Sequence, residues 1–319
     1  MKLRPEDCLP EDAERATLVG RAWVPGDHPG PSPVIIRGAD VVDISDTFPT
    51  MSELLNTESI ENKMGDLNGT KIGVIHSLLE NSAWHSQDKK HPYLLAPVDL
   101  QAVKACGVTF AQSMLERVIE ERAKGDPSAA QGIRNDIKKV IGLDLESIIP
   151  GSSEAEQLKE VLIEKDMWSQ YLEVGIGPDA EVFTKAQPMS VMGIGAQIGI
   201  LEKSEWNNPE PEITLAVNAR GKILGATLGN DVNLRDIEGR SALLLGKAKD
   251  NNASAAIGPF IRLFDENFSL DDVRMAELSL TVRGLDQFTL HGRSSMSKIS
   301  RDVADLVDET IGRHHQYPD

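Results

Sequence analysis

Apolar and polar residues follow two different periods along this chain. Val34-Ile35-Ile36 and Val41-Val42-Asp43-Ile44 are short aliphatic runs around a Gly-Ala-Asp turn, which predicts a hairpin. Pro25 to Pro33 is rich in proline and glycine and reads as a loop, and Asn56 to Gly69 reads as a polar surface excursion. The period then lengthens. Phe110, Met114, Leu115, Val118 and Ile119 share one face of a helix over Thr109 to Lys124. Asp126-Pro127 opens a second helix, with proline at its first position. Ser153-Glu154-Ala155-Glu156 is the expected capping box of a third, which carries Leu158, Val161, Leu162 and Ile163. Together they predict a helical insertion at about 112–168.

After Trp168 the chain returns to short strands and glycine turns. Ile213, Leu215 and Val217 alternate with Thr214, Ala216 and Asn218; Asn218-Ala219-Arg220-Gly221 turns, and Lys222 to Leu228 runs back. Ser269 to Asp272 caps a brief helix before a strand over Ala276 to Gly284, Phe288 to Arg293 returns, and Ile299 to Gly312 closes as a helix. The fold class is α+β. A small N-terminal α/β module is expected over 1–95. A β-rich catalytic domain follows over 96–319, starting at Ala96-Pro97-Val98.

Charge and composition narrow the partners. The chain of 319 residues has a net charge of −17 and no basic block, which argues against nucleic acid and anionic membranes. Cys8 and Cys106 are the only cysteines, too few for a disulfide framework or a thiolate metal site, and suit a reducing cytoplasm. No apolar run approaches the ~20 residues of a membrane span, and the N-terminus shows no apolar signal core. None of the seven histidines has zinc-motif spacing or stands in a nucleophile elbow. Gly193 to Gly199 is glycine-rich but lacks the strand-then-helix surroundings of a nucleotide loop.

The candidate chemistry sits at the ends of the predicted hairpin over 213–228. Glu210 and Glu212 are two apart on an extended chain, so their carboxylates share a face. Folding about Arg220 brings Gly229-Asn230-Asp231 opposite them. Three carboxylates meeting at one point repel unless a cation joins them, which points to an oxygen-liganded divalent ion. The alternative is a solvated strand face. Pro209 and Pro211 weigh against it, because they fix the backbone and remove donors there. Asn207, Asn208, Asn230 and Asn233 add hydrogen-bonding groups. Lys249 and Lys185 are candidate substrate-side cations, against the plain reading of solvated lysines.

These residues resemble a known family. Asn208-Pro209-Glu210-Pro211-Glu212, followed by Thr227-Leu228-Gly229-Asn230-Asp231-Val232-Asn233-Leu234-Arg235-Asp236, is similar to the metal-site signature of the fumarylacetoacetate hydrolase superfamily. Lys249 with Ile257-Gly258-Pro259, and Phe183-Thr184-Lys185-Ala186-Gln187-Pro188, resemble two further blocks of that family. The resemblance spans roughly 96–312 and implies that family's mixed β sandwich or roll. It implies Glu210, Glu212 and Asp231 as ligands of Mg²⁺, with Mn²⁺ or Ca²⁺ as alternatives. It implies Lys249, Lys185, Asn230 and Arg235 around a small 2-keto acid, and a homodimer.

The family's hydrolases carry a histidine that activates water; the matching segment here is Thr109-Phe110-Ala111-Gln112-Ser113, with Ser113 in its place. Losing a general base costs about 10²–10⁴-fold in rate. The departure tilts the expectation toward the branch that resembles bacterial 2-keto-3-deoxy-pentonate (xylonate and arabinonate) dehydratases. Ser113 and Arg117, one turn apart, become candidates for orienting substrate, and Glu181 and Glu116 for moving a proton. The competing expectations are a carbon–carbon bond hydrolase of acylpyruvates and a truncated, non-catalytic metal-binding protein. The last follows because family members of this type continue past His314-His315 into closing strands, which a chain ending at Asp319 is expected to lack.

Overall fold

The computed structural model describes residues 2–65, 67–107, 110–123, 126–141 and 148–312. Among these residues five strands come before the helical stretch: β1 (Leu18–Val24), β2 (Gly30–Arg37), β3 (Asp40–Asp43), β4 (Thr70–Val74) and β5 (Tyr93–Leu95). Two bracket it, β6 (Val103–Gly107) and β7 (Glu181–Ala186). Seven follow: β8 (Asn207–Asn208), β9 (Pro211–Val217), β10 (Ile223–Asp231), β11 (Asn233–Leu234), β12 (Ala255–Leu263), β13 (Glu277–Arg283) and β14 (Thr289–Ser295).

Among the described residues one antiparallel sheet runs β4-β3-β2-β1-β12-β10-β9, with β5 also against β1. The β2–β3 hairpin turns where the sequence predicted, with Arg37 opposite Asp40. Its strands are buried on both faces. Val19, Ile35, Val42, Ile44, Ile261 and Leu263 pack on one side with Met51, Leu54 and Leu55 of the helix Met51–Asn56. Leu18, Ala22, Val34, Ile36 and Val41 pack on the other with Leu78 and Leu79 of the helix Ile75–Ser82. Alternate residues of one strand thus serve two cores, which explains continuous runs such as Val34-Ile35-Ile36. The stretch from Asn56 to Gly69 is not purely a surface excursion, since Ile60 and Met64 are buried in the first core.

The expected boundary at 95/96 crosses this sheet: β1 pairs with β12, bringing Leu18 opposite Arg262 and Val19 opposite Ile261. Gly20 is required there, because a Cβ would stand 2.6 Å from the Phe260 ring. The N-terminal strands are therefore a wall of the sheet that holds the candidate site.

The helices form their own layer over Ala111–Arg122, Pro127–Ile141, Ser153–Glu164 and Gln170–Ile176. Leu115, Ile119, Ile137, Leu158, Leu162, Leu172 and Ile176 make a separate core. Asp126 opens the second helix as expected, its Oδ1 accepting from the Ser128 amide at 2.8 Å. The third is capped one residue earlier than predicted. Ser152, not Ser153, has extended backbone and accepts from the Ala155 amide. The layer extends to Ile176, past the predicted end near 168, because Ser169 caps one more helix. The closing helix is short, Val303–Val307, and passes into a wider turn over Asp308–Gly312.

Candidate metal centre

β9 and β10 form the predicted hairpin. Gly221 takes a left-handed φ of +78° in the turn, and the Asn218 side chain accepts from the amides of Arg220 and Lys222. The register places Gly229 opposite Glu212 and Asn230 opposite Pro211, and the Asp231 amide donates to the Glu210 carbonyl at 2.9 Å. Glu210, Glu212 and Asp231 consequently share one face at the hairpin's open end. One ligand atom of each lies within 4.8 Å of the others. Gly229, between them, lets the Thr214 hydroxyl come close: a Cβ would stand 2.3 Å from it and force that side chain to turn.

Two lysines reach the same point from different elements. Lys249 ends the short helix Leu245–Lys249 and is 3% exposed. Its Nζ donates to Glu210 Oε2, in a very short contact, and to Asp231 Oδ2 at 3.0 Å, and lies 5.6 Å from the centre of the Phe183 ring. Lys185, on β7, is 2% exposed and donates to the Val232 carbonyl at 2.8 Å, the Lys249 carbonyl at 2.5 Å and the Ser254 hydroxyl at 3.3 Å. It also stands 3.0 Å from Asp231 Oδ1, in ion-pair range. That contact is not aligned as a hydrogen bond, so Asp231 Oδ1 is buried without a donor.

The donor set fits a hard divalent cation. The atoms are carboxylate oxygens, their spacing is of the order demanded by metal–oxygen bonds of roughly 2.0–2.6 Å, and one of them is buried with no aligned donor beside its ion pair to Lys185. Three carboxylates against two ammoniums leave an acidic excess. Its effect is visible at Glu212: burial, then repulsion from Asp231 and Glu210, push its carboxyl up to about 8. Burial pulls Lys249 down, but Asp231 and Glu210 outweigh it and hold the ammonium above its ordinary value. For Lys185 burial wins, and its pKa is lowered despite Asp231.

Further carboxylates and amides frame the triad. Asn230 Oδ1 accepts from the Glu210 amide at 3.0 Å, so this side chain fixes the backbone of a candidate ligand. Asn233 is fully buried, and its amide nitrogen donates to Glu210 Oε1 at 3.0 Å and Glu238 Oε2 at 2.7 Å. Arg235 pairs with Glu238 at 2.8 Å on the half-exposed side. Glu181 lies on the same face of β7 as Phe183 and Lys185, by alternation. Burial first, then Glu238, raise its carboxyl, while Lys249 opposes them. Cys106 on β6 is near enough to feel both Glu212 and Glu181, and burial pushes its thiol up to about 11.

The structure thus gathers Glu210, Glu212, Asp231, Lys249, Lys185 and Asn230, with Glu181 and Arg235 at the margin. Glu116 is elsewhere in role: its carboxylate is gripped by Arg134 at 2.6–3.1 Å within the helical layer. Ser113 and Arg117 belong to the helix Ala111–Arg122, but their side chains lie outside the described residues. Sequence reasoning passed over Glu238 and named Phe183 only as part of a family block. The alternation Glu181, Phe183, Lys185 carried a signal for Phe183, whereas Glu238 depends on how a later turn folds back.

Comparison with known proteins follows the same lines. The chain is 33% identical over 165 residues to a Haloferax volcanii protein named "Probable 2-keto-3-deoxyxylonate dehydratase", covering 52% of this chain and 55% of that one. It is 32% identical over 142 residues to the 2-dehydro-3-deoxy-D-arabinonate dehydratase of Saccharolobus solfataricus, covering 44% and 45% respectively. The chain resembles the sugar-acid dehydratases. The matches span about half the length of these curated relatives. No family model matches the chain. A solved 2-keto-3-deoxy-D-arabinonate dehydratase complexed with magnesium and 2,5-dioxopentanoate shares the fold, with a TM-score of 0.63 at 19% identity over 95% of this chain and 84% of that one. Its apo form aligns equally well. Among the described residues no helix is long and apolar enough to cross a membrane.

Proposed function

We propose that this protein is a Mg²⁺-dependent hydro-lyase that dehydrates a 2-keto-3-deoxy sugar acid, 2-keto-3-deoxyxylonate or -arabinonate, to 2,5-dioxopentanoate in non-phosphorylating pentose breakdown. The observation that carries it is the convergence of Glu210, Glu212 and Asp231 with the Lys249 ammonium among them. Glu210, Glu212 and Asp231 would hold the cation. Once bound, it would supply a Lewis acid for the carboxylate and 2-oxo group of the substrate.

Lys249, buried and held charged by Asp231 and Glu210, is suited to steady negative charge on the substrate's 2-oxo oxygen. Glu181 is the candidate for moving a proton. It starts with a raised pKa, closer to neutrality than a solvated carboxylate, which favours exchange in both directions. The balance is loss of one C3 hydrogen and the C4 hydroxyl as water, followed by tautomerisation that leaves an aldehyde at C5. Lys185, enclosed by protein oxygens, acts by fixing Asp231.

A panel of 2-keto-3-deoxy acids with Mg²⁺, read by mass for loss of water, tests the reading directly. Turnover should vanish with EDTA and return with Mg²⁺. Cleavage of acylpyruvates in place of dehydration would move the protein to the hydrolase branch, against which Ser113 weighs. A Mg²⁺-dependent melting shift with no turnover of any 2-keto acid would favour a non-catalytic metal-binding role.

A further inference from the structure

Strand β6 carries a glycine where neither a turn nor a left-handed backbone calls for one. Gly107 pairs with Glu181 across the β6–β7 ladder, and its φ lies outside the left-handed region. Glycine weakens a strand, so its use there points to a close approach by another group. That group is the Glu181 carboxylate. A Cβ on Gly107 would stand 1.9 Å from Glu181 Oε2 and 2.7 Å from the carboxyl carbon. The Glu181 side chain therefore lies back over β6, in the space that a Cβ would fill.

The ladder beneath this contact is tied on its other face. Lys104 Nζ donates to the Thr184 hydroxyl at 2.8 Å, and Cys106 is hydrogen-bonded to the side chain of Thr310. Shifting β6 to admit a Cβ would break these ties. Turning Glu181 away would not, because its open side is a cavity of about 510 Å³ bounded also by Trp168, Tyr171 and Glu173. The glycine thus decides which surroundings the carboxylate meets. Over β6, Glu181 is half-buried, and Glu238 and Lys249 both act on its charge. Turned into the cavity, it would move toward Glu173, a carboxylate that Lys159 already holds at 2.6 Å.

We propose that Gly107 is a positioning residue: by leaving room over β6 it fixes the Glu181 carboxylate in the place from which it exchanges a proton with the substrate. The proposal rests on the reading of Glu181 as the proton-moving group of a dehydratase.

Two double-mutant cycles test it, one without turnover and one with. In the metal-free full-length chain, Gly107→Ala should lower the melting temperature. In a Glu181→Ala background the same change should leave it unchanged or raise it, because the space is then empty and the backbone suits alanine. If Gly107→Ala alone does not fold, adding Glu181→Ala should restore the fold. Equal changes in both backgrounds, or no rescue, overturn the contact and the proposal with it. With Mg²⁺ and a 2-keto-3-deoxy acid that the parent chain turns over, Gly107→Ala should lower kcat about 100-fold, the scale of a misplacement of about 1 Å, with KM within about threefold. The Mg²⁺-induced melting shift should be retained. Glu181→Gln removes the proton carrier itself, so adding Gly107→Ala to it should cost less than about twofold more. An unchanged kcat, a loss confined to KM, or full additivity of the two changes overturns the proposal, while turnover by the parent leaves the dehydratase reading standing. If the parent dehydrates none of these acids, that reading fails, and the positioning role falls with it whatever the melting cycle shows.

Discussion

Two hairpins in this chain share a design and differ in placement. β9–β10 and β13–β14 are both antiparallel ribbons whose first strand alternates apolar and polar positions, and both were legible as hairpins. The first lies inside the sheet, because β12 covers the far edge of β10 from Asp231↔Ala255 to Gly225↔Leu263. The second pairs only with itself among the described residues, and one side of β13, from Glu277 through Arg283, is exposed at every second residue. A ribbon alone organises side chains by face. A third strand removes them from water, and only then do acidic residues acquire the strong mutual effects seen at Glu212 and Lys249.

The sharpest way to break the contrast is to truncate a polar side chain in each ribbon. Asp231→Ala leaves Lys185 and Lys249 buried without their shared counter-ion, and should cost about 3–5 kcal/mol in denaturant unfolding and abolish any Mg²⁺-induced melting shift. Asn233→Ala is next. It frees Glu210 and Glu238 from their common donor and should weaken metal affinity about 10–100-fold, read by Mn²⁺ titration, with the fold retained.

A third expectation concerns pH. Glu212 binds its proton up to about 8 when folded, against an ordinary value of 4.5, so between these values the folded chain carries more protons than the unfolded one. Stability of the metal-free protein should therefore fall as pH rises through that window, by up to about 1.4 kcal/mol per unit. Stabilisation by Mg²⁺, which competes with the proton, should grow over the same range. Glu212→Gln should flatten the metal-free slope; an unchanged slope would show that Glu212 is not the titrating group. The smallest effect belongs to the exposed ribbon, where Ser279→Ala should shift stability by less than about 0.5 kcal/mol at any pH.

What the sequence disclosed depended on range. Hairpins, turns and helix caps are written in neighbouring residues, so the Gly38 and Asn218 turns and the helix after Asp126 were readable. The Ser152 cap was missed by one position because adjacent serines offer the same chemistry, and only backbone direction decides between them. The triad was readable because its three members sit at the two ends of one hairpin. Lys185 was found as a lysine but not as a strut, since the carbonyls of Val232 and Lys249 that enclose it come from distant turns. Glu238 and the cavity over Glu181 needed the helical layer and the sheet to be set against each other.

The pairing of β1 with β12 has a consequence for how such proteins can change. The first strands of the chain and the one that seals the hairpin of the acidic triad are neighbours in a single ladder, with the Phe260 ring seated over Gly20. A recombination at 95/96 that exchanged the N-terminal segment for a foreign one would replace half of that ladder. The two parts are expected to diversify together, as one inherited unit.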